Sequence, residues 1–267
     1  MIIQRSSNDQ SAIAISQVAH SWMSGQMARE WGNAEFGTFE PREPLCYAAE
    51  QHDIGFFSWE RRPRWNPGTG FPFTFEDLPI SEHIEIWQQG IDQLGTVSAY
   101  AALMASFHFA GLCERHSRKG VEAGSRTAEA FLRDQRRHRE ELLAFIARDW
   151  TARAGCTEEA ISNNRKLIAT WDLLSLQLSR NPSKAFDIEG VPWTGGSGGC
   201  TLSISPSAFS GRVFHVNPWP FSSSPLRLCC EGYLFERPFR SQEELDQAFT
   251  ARSVSRLPIE YILLPRT

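Results

Sequence analysis

The sequence lacks any long hydrophobic run and any closely spaced cysteine pair. No apolar stretch approaches the roughly 20 residues that a helix needs to cross a bilayer, so we expect no membrane-spanning segment. The opening residues, MIIQRSSNDQ, lack the hydrophobic core of a secretory signal, which predicts a cytoplasmic protein. The six cysteines form no CxxC pair, and we therefore expect reduced, buried thiols rather than a disulfide framework.

Positive charge is also limited. The 27 Lys and Arg residues are outnumbered by 31 Asp and Glu residues, and the net charge is -4. A protein that wraps nucleic acid normally needs a basic face to neutralise phosphates, so this balance predicts no nucleic-acid partner. The cations are 24 Arg and 3 Lys, a bias that suits bidentate binding of anions but that genomic composition also produces. The charge balance favours a small or neutral partner, and the oligomeric state stays open.

The sequence does contain enough apolar surface for a sizeable core. Hydrophobic residues make up 41% and charged residues 22% of the 267 residues. These fractions are ordinary for a globular protein and exclude wholesale disorder. The length allows one large domain or a core with a smaller appendage, and we favour the second arrangement.

Apolar residues recur with helical spacing over much of the first 180 residues. A polar turn between IIQR and AIAIS predicts a short opening hairpin, and Ser16 is the expected N-cap of the helix that follows. Further helices are predicted over residues 43–53, after residue 79, after residue 95, from residue 126 and over residues 157–179. After residue 185 the pattern changes to alternating or apolar runs separated by Gly, Pro and Ser, which predicts antiparallel strands.

Histidine and aspartate recur in helical stretches that are otherwise apolar or rich in small residues, where an unpaired polar group would be costly. These residues are His20, His52, Asp53, His83, His108 and Asp172. Because His52 and Asp53 are adjacent, one imidazole and one carboxylate can bind the same ion. Such ligands suit Fe, Mn, Zn, Co or Ni, and we expect one or two divalent metal ions as the cofactor.

The order H...HD...H...H...D resembles the HD superfamily, and in particular its dinuclear members. By this resemblance the first metal ion has four ligands: His20, His52, Asp53 and Asp172. The resemblance also implies that His83 and His108 hold a second ion. In dinuclear relatives the Asp of the HD pair bridges both ions, which makes Asp53 the expected catalytic carboxylate.

A wider likeness rests on the segments SQVAHSWMSGQMAREWG, EQHDIGFFSWE, an aromatic loop rich in Pro and Gly, SFH, WDLLSLQLSR and NPWPF. Together they look like an uncharacterised bacterial HD-like family, a domain of unknown function. The likeness covers nearly the whole chain but implies no substrate.

These observations predict an α+β protein with a mostly helical HD-like core and a small antiparallel β-rich C-terminal subdomain. We expect the helical metal-binding domain over residues 1–185 and the β-rich subdomain over residues 186–267. The second part is expected to pack against the first.

The resemblance favours metal-dependent hydrolysis of a small phosphorylated compound. Arg61, Arg62 and Arg64 follow the HD pair closely and are predicted to contact the anionic substrate, although a solvated charge cluster is an alternative reading. An HD-type di-iron oxygenase would use the same ligand order. A metal-stabilised module that binds a metabolite without turnover is the alternative that is not an enzyme. His116 and His138 lie among charged residues and are expected at the surface.

Overall fold

A computed structural model describes residues 1–118, 126–148, 153–196, 198–208 and 211–266. The strands are β1 Ile2–Arg5, β2 Ala12–Ile15, β3 Phe186–Val191, β4 Cys200–Pro206, β5 Val213–Asn217, β6 Leu226–Phe235 and β7 Ser255–Pro265. The helices are α1 Gln17–Glu30, α2 Arg42–Gln51, α3 Phe56–Glu60, α4 Ile80–Gly95, α5 Ala99–Arg118, α6 Arg126–Ile146, α7 Glu158–Arg180 and α8 Gln242–Thr250. In this described part of the chain no helix is both long enough and apolar enough to span a membrane.

All seven strands belong to one curled, mixed sheet in the order β1-β2-β6-β7-β5-β4-β3. β5 and β7 are parallel, and the other neighbouring strands are antiparallel. The opening hairpin joins the later strands through β2 and β6, where Ala12 lies opposite Phe235 and Ile15 opposite Gly232. The sheet therefore unites segments more than 200 residues apart in sequence.

The expected fold class, a mostly helical HD-like core with a small antiparallel β-rich C-terminal subdomain, is wrong. The chain is 49% helix and 21% strand, and the sheet is a major element that takes strands from both ends of the sequence. Pairing with β6 satisfies the backbone groups of β2, which otherwise forms an exposed edge, and Ala14 and Ile15 become fully buried. Local periodicity predicts a strand but not its partner. The division of the chain at residue 185 stays a prediction.

The helices form layers on the sheet. α1 packs on β6, and α7 packs on β1 and β3. On the other side, α2 lies against α1 and α7, and α5 lies against α2 and α7. α4 and α6 pack on α5, farther out. Trp171 on α7 is fully buried and packs edge-on against Trp31, with ring centroids 5.7 Å apart. This arrangement places α1, α2, α5 and α7 around one buried volume.

Two glycines allow α4 to approach the chain that follows α2. A Cβ atom at Gly55 would lie 2.1 Å from the carbonyl oxygen of Ile86 and 2.9 Å from the backbone nitrogen of Gly90. No side chain fits at such distances without a shift of the backbone. The close contact fixes the segment directly after His52 and Asp53.

Candidate metal centre

Four of the predicted ligands come from three helical regions that meet behind the sheet. His20 lies in the first turn of α1, which begins directly after β2 because Ser16 accepts a hydrogen bond from the backbone nitrogen of Ala19. His52 is the C-cap of α2, and Asp53 follows it. Asp172 lies near the middle of α7. His20 and His52 are each 1% exposed.

The donor atoms of these four side chains converge. All of them lie within 4.8 Å of one another. Asp53 Oδ2 lies 2.8 Å from His20 Nε2 and 3.5 Å from His52 Nε2. Asp172 Oδ1 lies 3.3 Å from His52 Nε2 and 3.9 Å from His20 Nε2. Two atoms that bind one ion at about 2.1 Å can be at most about 4.2 Å apart. These four of the six separations meet that limit, and the whole set lies within 4.8 Å.

The tautomer of His52 follows from its other ring nitrogen. Nδ1 lies 2.8 Å from the carbonyl oxygen of Ala49, which can only accept, so Nδ1 carries a proton and donates it. In a neutral ring Nε2 then presents a lone pair to the oxygens of Asp53 and Asp172. Lone pairs that face each other repel, and a cation between them removes the repulsion.

His20 is oriented in the same way by serine hydroxyls. Ser175 donates its only hydroxyl proton to the carbonyl oxygen of Asp172, at 2.9 Å, and therefore accepts from His20 Nδ1, also at 2.9 Å. Ser24 lies 2.9 Å from the same Ser175 oxygen. His20 Nε2 lies 2.8 Å from Asp53 Oδ2, and without a metal ion it donates to this carboxylate. In the neutral ring that donates through Nδ1 alone, Nε2 carries the lone pair that a metal ion needs. Hydrogen bonds of this kind commonly fix the orientation of metal-binding imidazoles.

The carboxylates dominate the electrostatics of the cluster. Burial disfavours a charged His52, but the negative charges of Asp53 and Asp172 outweigh it and raise the pKa of His52 to about 9. Burial also disfavours ionised Asp172, yet the hydrogen bond with His52 and the charges of the neighbouring imidazoles lower its pKa well below the usual range. Both effects show a site that attracts a cation.

His108 lies beside this cluster. Its Nε2 is 3.4 Å from Asp172 Oδ2, and its ring centroid is 5.3 Å from that of His52. Asp172 therefore presents one oxygen to His52 and the other to His108. The resemblance assigns this bridging position to Asp53 instead. Burial lowers the pKa of His108 to about 4, which keeps the imidazole neutral, as a metal ligand must be.

His83 is buried on α4 but stands outside the four-residue cluster. Its ring packs on Trp87 at 5.1 Å and lies 6.5 Å from the ring of His116. Burial and the charge of His116 lower the pKa of His83 to about 4. Its Nδ1 has no hydrogen-bond partner among the described residues. His116, which the sequence analysis expected at the surface, is partly buried.

The three predicted substrate arginines lie elsewhere. Arg64 forms an ion pair with Glu82 at 2.7 Å. Arg61 and Arg62 line an open groove of about 1270 Å³ between α1, α3, β6 and α8. Among the described residues that line this groove, none belongs to the His/Asp cluster.

No motif in the sequence marks the residues that orient the ligands. Ser175 lies in no recognised motif, since no nucleophile-elbow pattern surrounds it. The available signal was its position, three residues after Asp172 and thus on the same face of α7. The carbonyl of Ala49, three residues before His52, left no sequence signal at all.

Together the fold and the site define a class: an α+β protein whose mixed sheet supports a buried group of two imidazoles and two carboxylates that could hold a metal ion. A family model described as "Protein of unknown function (DUF3891)" matches residues 1–237, so the chain belongs to that family. Comparisons with curated proteins and with solved structures find no match. β7, which lies between β5 and β6 in the sheet, falls beyond the matched residues.

Proposed function

We propose that this protein is a metal-dependent hydrolase of a small phosphorylated compound, with an HD-type centre. The observation that carries the proposal is the convergence of four donor atoms within 4.8 Å of one another. The proposed ligands of the first ion are His20, His52, Asp53 and Asp172. The proposed ion is Fe, Mn, Zn, Co or Ni, because imidazole and carboxylate ligands suit all of these.

The donor set fits such an ion. Each imidazole has a partner for Nδ1, Ala49 in one ring and Ser175 in the other, so the neutral form that binds a metal ion would have Nε2 free. Its two carboxylates supply the negative charge that a divalent ion requires. A divalent ion in such a site supplies Lewis-acid chemistry and lowers the pKa of water so that a nucleophile is available at neutral pH.

The residues of the chain have distinct roles in this proposal. Asp53, which packs against His20, orients the nucleophile and is the proposed catalytic carboxylate. Asp172 is partly exposed, at 17% of its side chain, and marks the side on which a small anionic substrate reaches the buried cluster. Contacts of Arg61, Arg62 and Arg64 with the substrate remain a prediction of the sequence.

The first experiment is elemental analysis of protein purified without added metal, together with a panel of small phosphate esters. We expect about one or two ions per chain and hydrolysis that a chelator abolishes. Asp53→Ala should lose both while the fold is retained, as circular dichroism would show. The matched control is Asp92→Ala, which removes an exposed carboxylate on α4.

Two outcomes would contradict the proposal. One is unchanged turnover in a folded Asp53→Ala variant, because that residue would then have no part in the reaction. The other is metal-loaded protein that hydrolyses no phosphate ester on the panel. That second result would instead favour a catalytically silent, metal-stabilised module that binds a metabolite.

A second candidate, an HD-type di-iron oxygenase, is favoured by one observation. His108 lies 3.4 Å from Asp172 Oδ2, so an additional imidazole is available beside the four-residue cluster. His83, with its unpartnered buried Nδ1, is the proposed further ligand of a second ion. Iron in the purified protein and product formation that requires oxygen would support this candidate. Zinc or manganese with no oxygen uptake would exclude it.

A further inference from the structure

Two arginines share one aromatic ring next to the candidate metal centre. The guanidinium of Arg139, on α6, lies 4.7 Å from the ring centroid of Phe107, and that of Arg165, on α7, lies 4.4 Å from the same centroid. Phe107 is on α5, directly before His108. Three helices thus bring two positive charges and a flat apolar surface together. Arginine stacks favourably on such rings.

In the part of the chain that the structure describes, the two arginines have carboxylates in their surroundings but none in direct contact. Among the described residues, no carboxylate lies within 4.0 Å of either guanidinium to form an ion pair. Arg139 donates hydrogen bonds to the backbone and hydroxyl oxygens of Ser106, at 3.4 Å each. Burial, and then the positive charge of Arg165, lower the pKa of Arg139. The charge of Glu114 raises the pKa of both arginines, and that of Glu140 also raises the pKa of Arg139. The net effect still lowers both pKa values, and an anion that binds between two like charges stabilises both of them.

The pair lies on the substrate side of the cluster. Arg165 and Asp172 are seven residues apart on α7, which places them on the same face of the helix, two turns or about 10 Å apart. His108 contacts Asp172 and follows Phe107 directly in sequence. A small molecule at Asp172 could therefore extend along α7 toward the two arginines.

We propose that Arg139, Arg165 and Phe107 form a binding site for a phosphate group of the substrate, at the end remote from the metal centre. This inference rests on the proposed function, and it names the substrate class: a small molecule with two phosphate groups, one at the metal centre and one at the arginine pair. Planar guanidinium groups match phosphate because they donate two parallel hydrogen bonds. The ring of Phe107 holds both groups in place before the ligand arrives.

The test is a titration of metal-free protein with inorganic phosphate, followed by phosphorus NMR or calorimetry. The absence of metal removes binding at the His/Asp cluster from the signal. We expect Arg139→Gln/Arg165→Gln to weaken phosphate affinity by at least about tenfold, since two charge-assisted interactions are lost. Arg165→Lys should weaken it by about threefold, because the charge remains but the planar fork does not.

The matched control is Arg137→Gln, on the same helix as Arg139. Arg137 is exposed and faces Asp134 and Glu141 instead of Phe107. Its replacement removes the same charge and should change phosphate affinity by less than about twofold. Thermal unfolding of each variant shows whether the fold is retained.

Two results would overturn the inference: wild-type protein that binds no phosphate, or a double variant that binds it as tightly as Arg137→Gln does. Both can be told apart from failure of the proposed function, which elemental analysis and the ester panel decide. Phosphate binding that depends on both arginines supports the inference whatever the metal analysis gives. A protein without metal counts against the proposed function alone.

Discussion

The His/Asp cluster and the groove beside α3 differ in almost every physical respect. The cluster is small and buried, and hydrogen bonds to Ala49 and Ser175 fix its imidazoles. The groove is wide and open, and exposed Trp22 and Phe57 lie among its lining residues. This open groove is therefore separate from the buried cluster. We conclude that fixed side-chain orientations and concentrated charge identify the candidate site better than the volume of a cavity does.

The largest effect should come from a change in the cluster that alters charge but not shape. Asp172→Asn removes a negative charge that faces both His52 and His108, and we expect turnover to fall at least about 10³-fold because the metal is lost or misplaced. Steady-state kinetics of the proposed hydrolysis measure it. The control, Asp187→Asn, alters an exposed carboxylate on β3 and should change turnover by less than about twofold. Equal turnover in the two variants would show that the cluster has no special role in the reaction.

Removal of the metal should affect stability through the cluster alone. Saturation at about 100 times the dissociation constant stabilises a folded protein by about 2.7 kcal/mol, so a chelator should lower the melting temperature by roughly 5–10 °C. His52→Ala, which no longer holds the ion, should show no further decrease with chelator. Calorimetry of both proteins measures the difference. A chelator response that persists in His52→Ala would place the stabilising ion elsewhere.

A smaller effect should follow from loss of the hydroxyl that orients His20. Ser175→Ala leaves the ligands in place but frees the ring, and we expect metal affinity to fall by about 10–100-fold. A competition titration with a metal indicator measures this. Ser179→Ala is the control, because Ser179 is equally buried one turn later on α7 and its hydroxyl bonds to no described residue. Equal affinities in the two variants would show that Ser175 does not support the site.

The smallest effect is expected in the groove. Arg61→Gln/Arg62→Gln should leave the metal content unchanged and alter stability by less than about 0.5 kcal/mol, because both side chains lie on the surface. We expect the Michaelis constant to rise by less than about threefold, a change typical of weak, screened charges. A Michaelis constant that rises tenfold or more would support the predicted contact of these arginines with the substrate. The groove would then be part of the substrate-binding site.

The sequence was informative wherever a signal was local. The N-cap at Ser16 places His20 in the first turn of α1, and helical spacing puts His52 on a buried face and Asp172 on a partly buried one. These positions follow from capping and from hydrophobic periodicity, which act within a few residues. The four proposed ligands of the first ion accordingly meet in the structure, although they are spread over more than 150 residues.

The sequence was uninformative wherever a contact joins distant segments. Nothing near Ala12 indicates that its strand pairs with Phe235, and nothing in β7 indicates that it runs parallel to β5. The placement of Arg61 and Arg62 away from the cluster likewise depends on how α3 packs against α1 and α4. Such pairings depend on the whole chain and leave no trace in local sequence patterns. For this reason the expected fold, a mostly helical core with a separate β-rich subdomain, was wrong.

The pairing of β2 with β6 has a consequence for how this family can vary. The helix that carries His20 grows directly out of a strand whose neighbour lies more than 200 residues later in the chain. In a chimera of two relatives with a crossover between β2 and β6, the two paired strands would come from different parents and would not be adapted to each other. Successful recombinants should therefore inherit both strands from one parent, and insertions should be tolerated better in the connecting loops than at either strand.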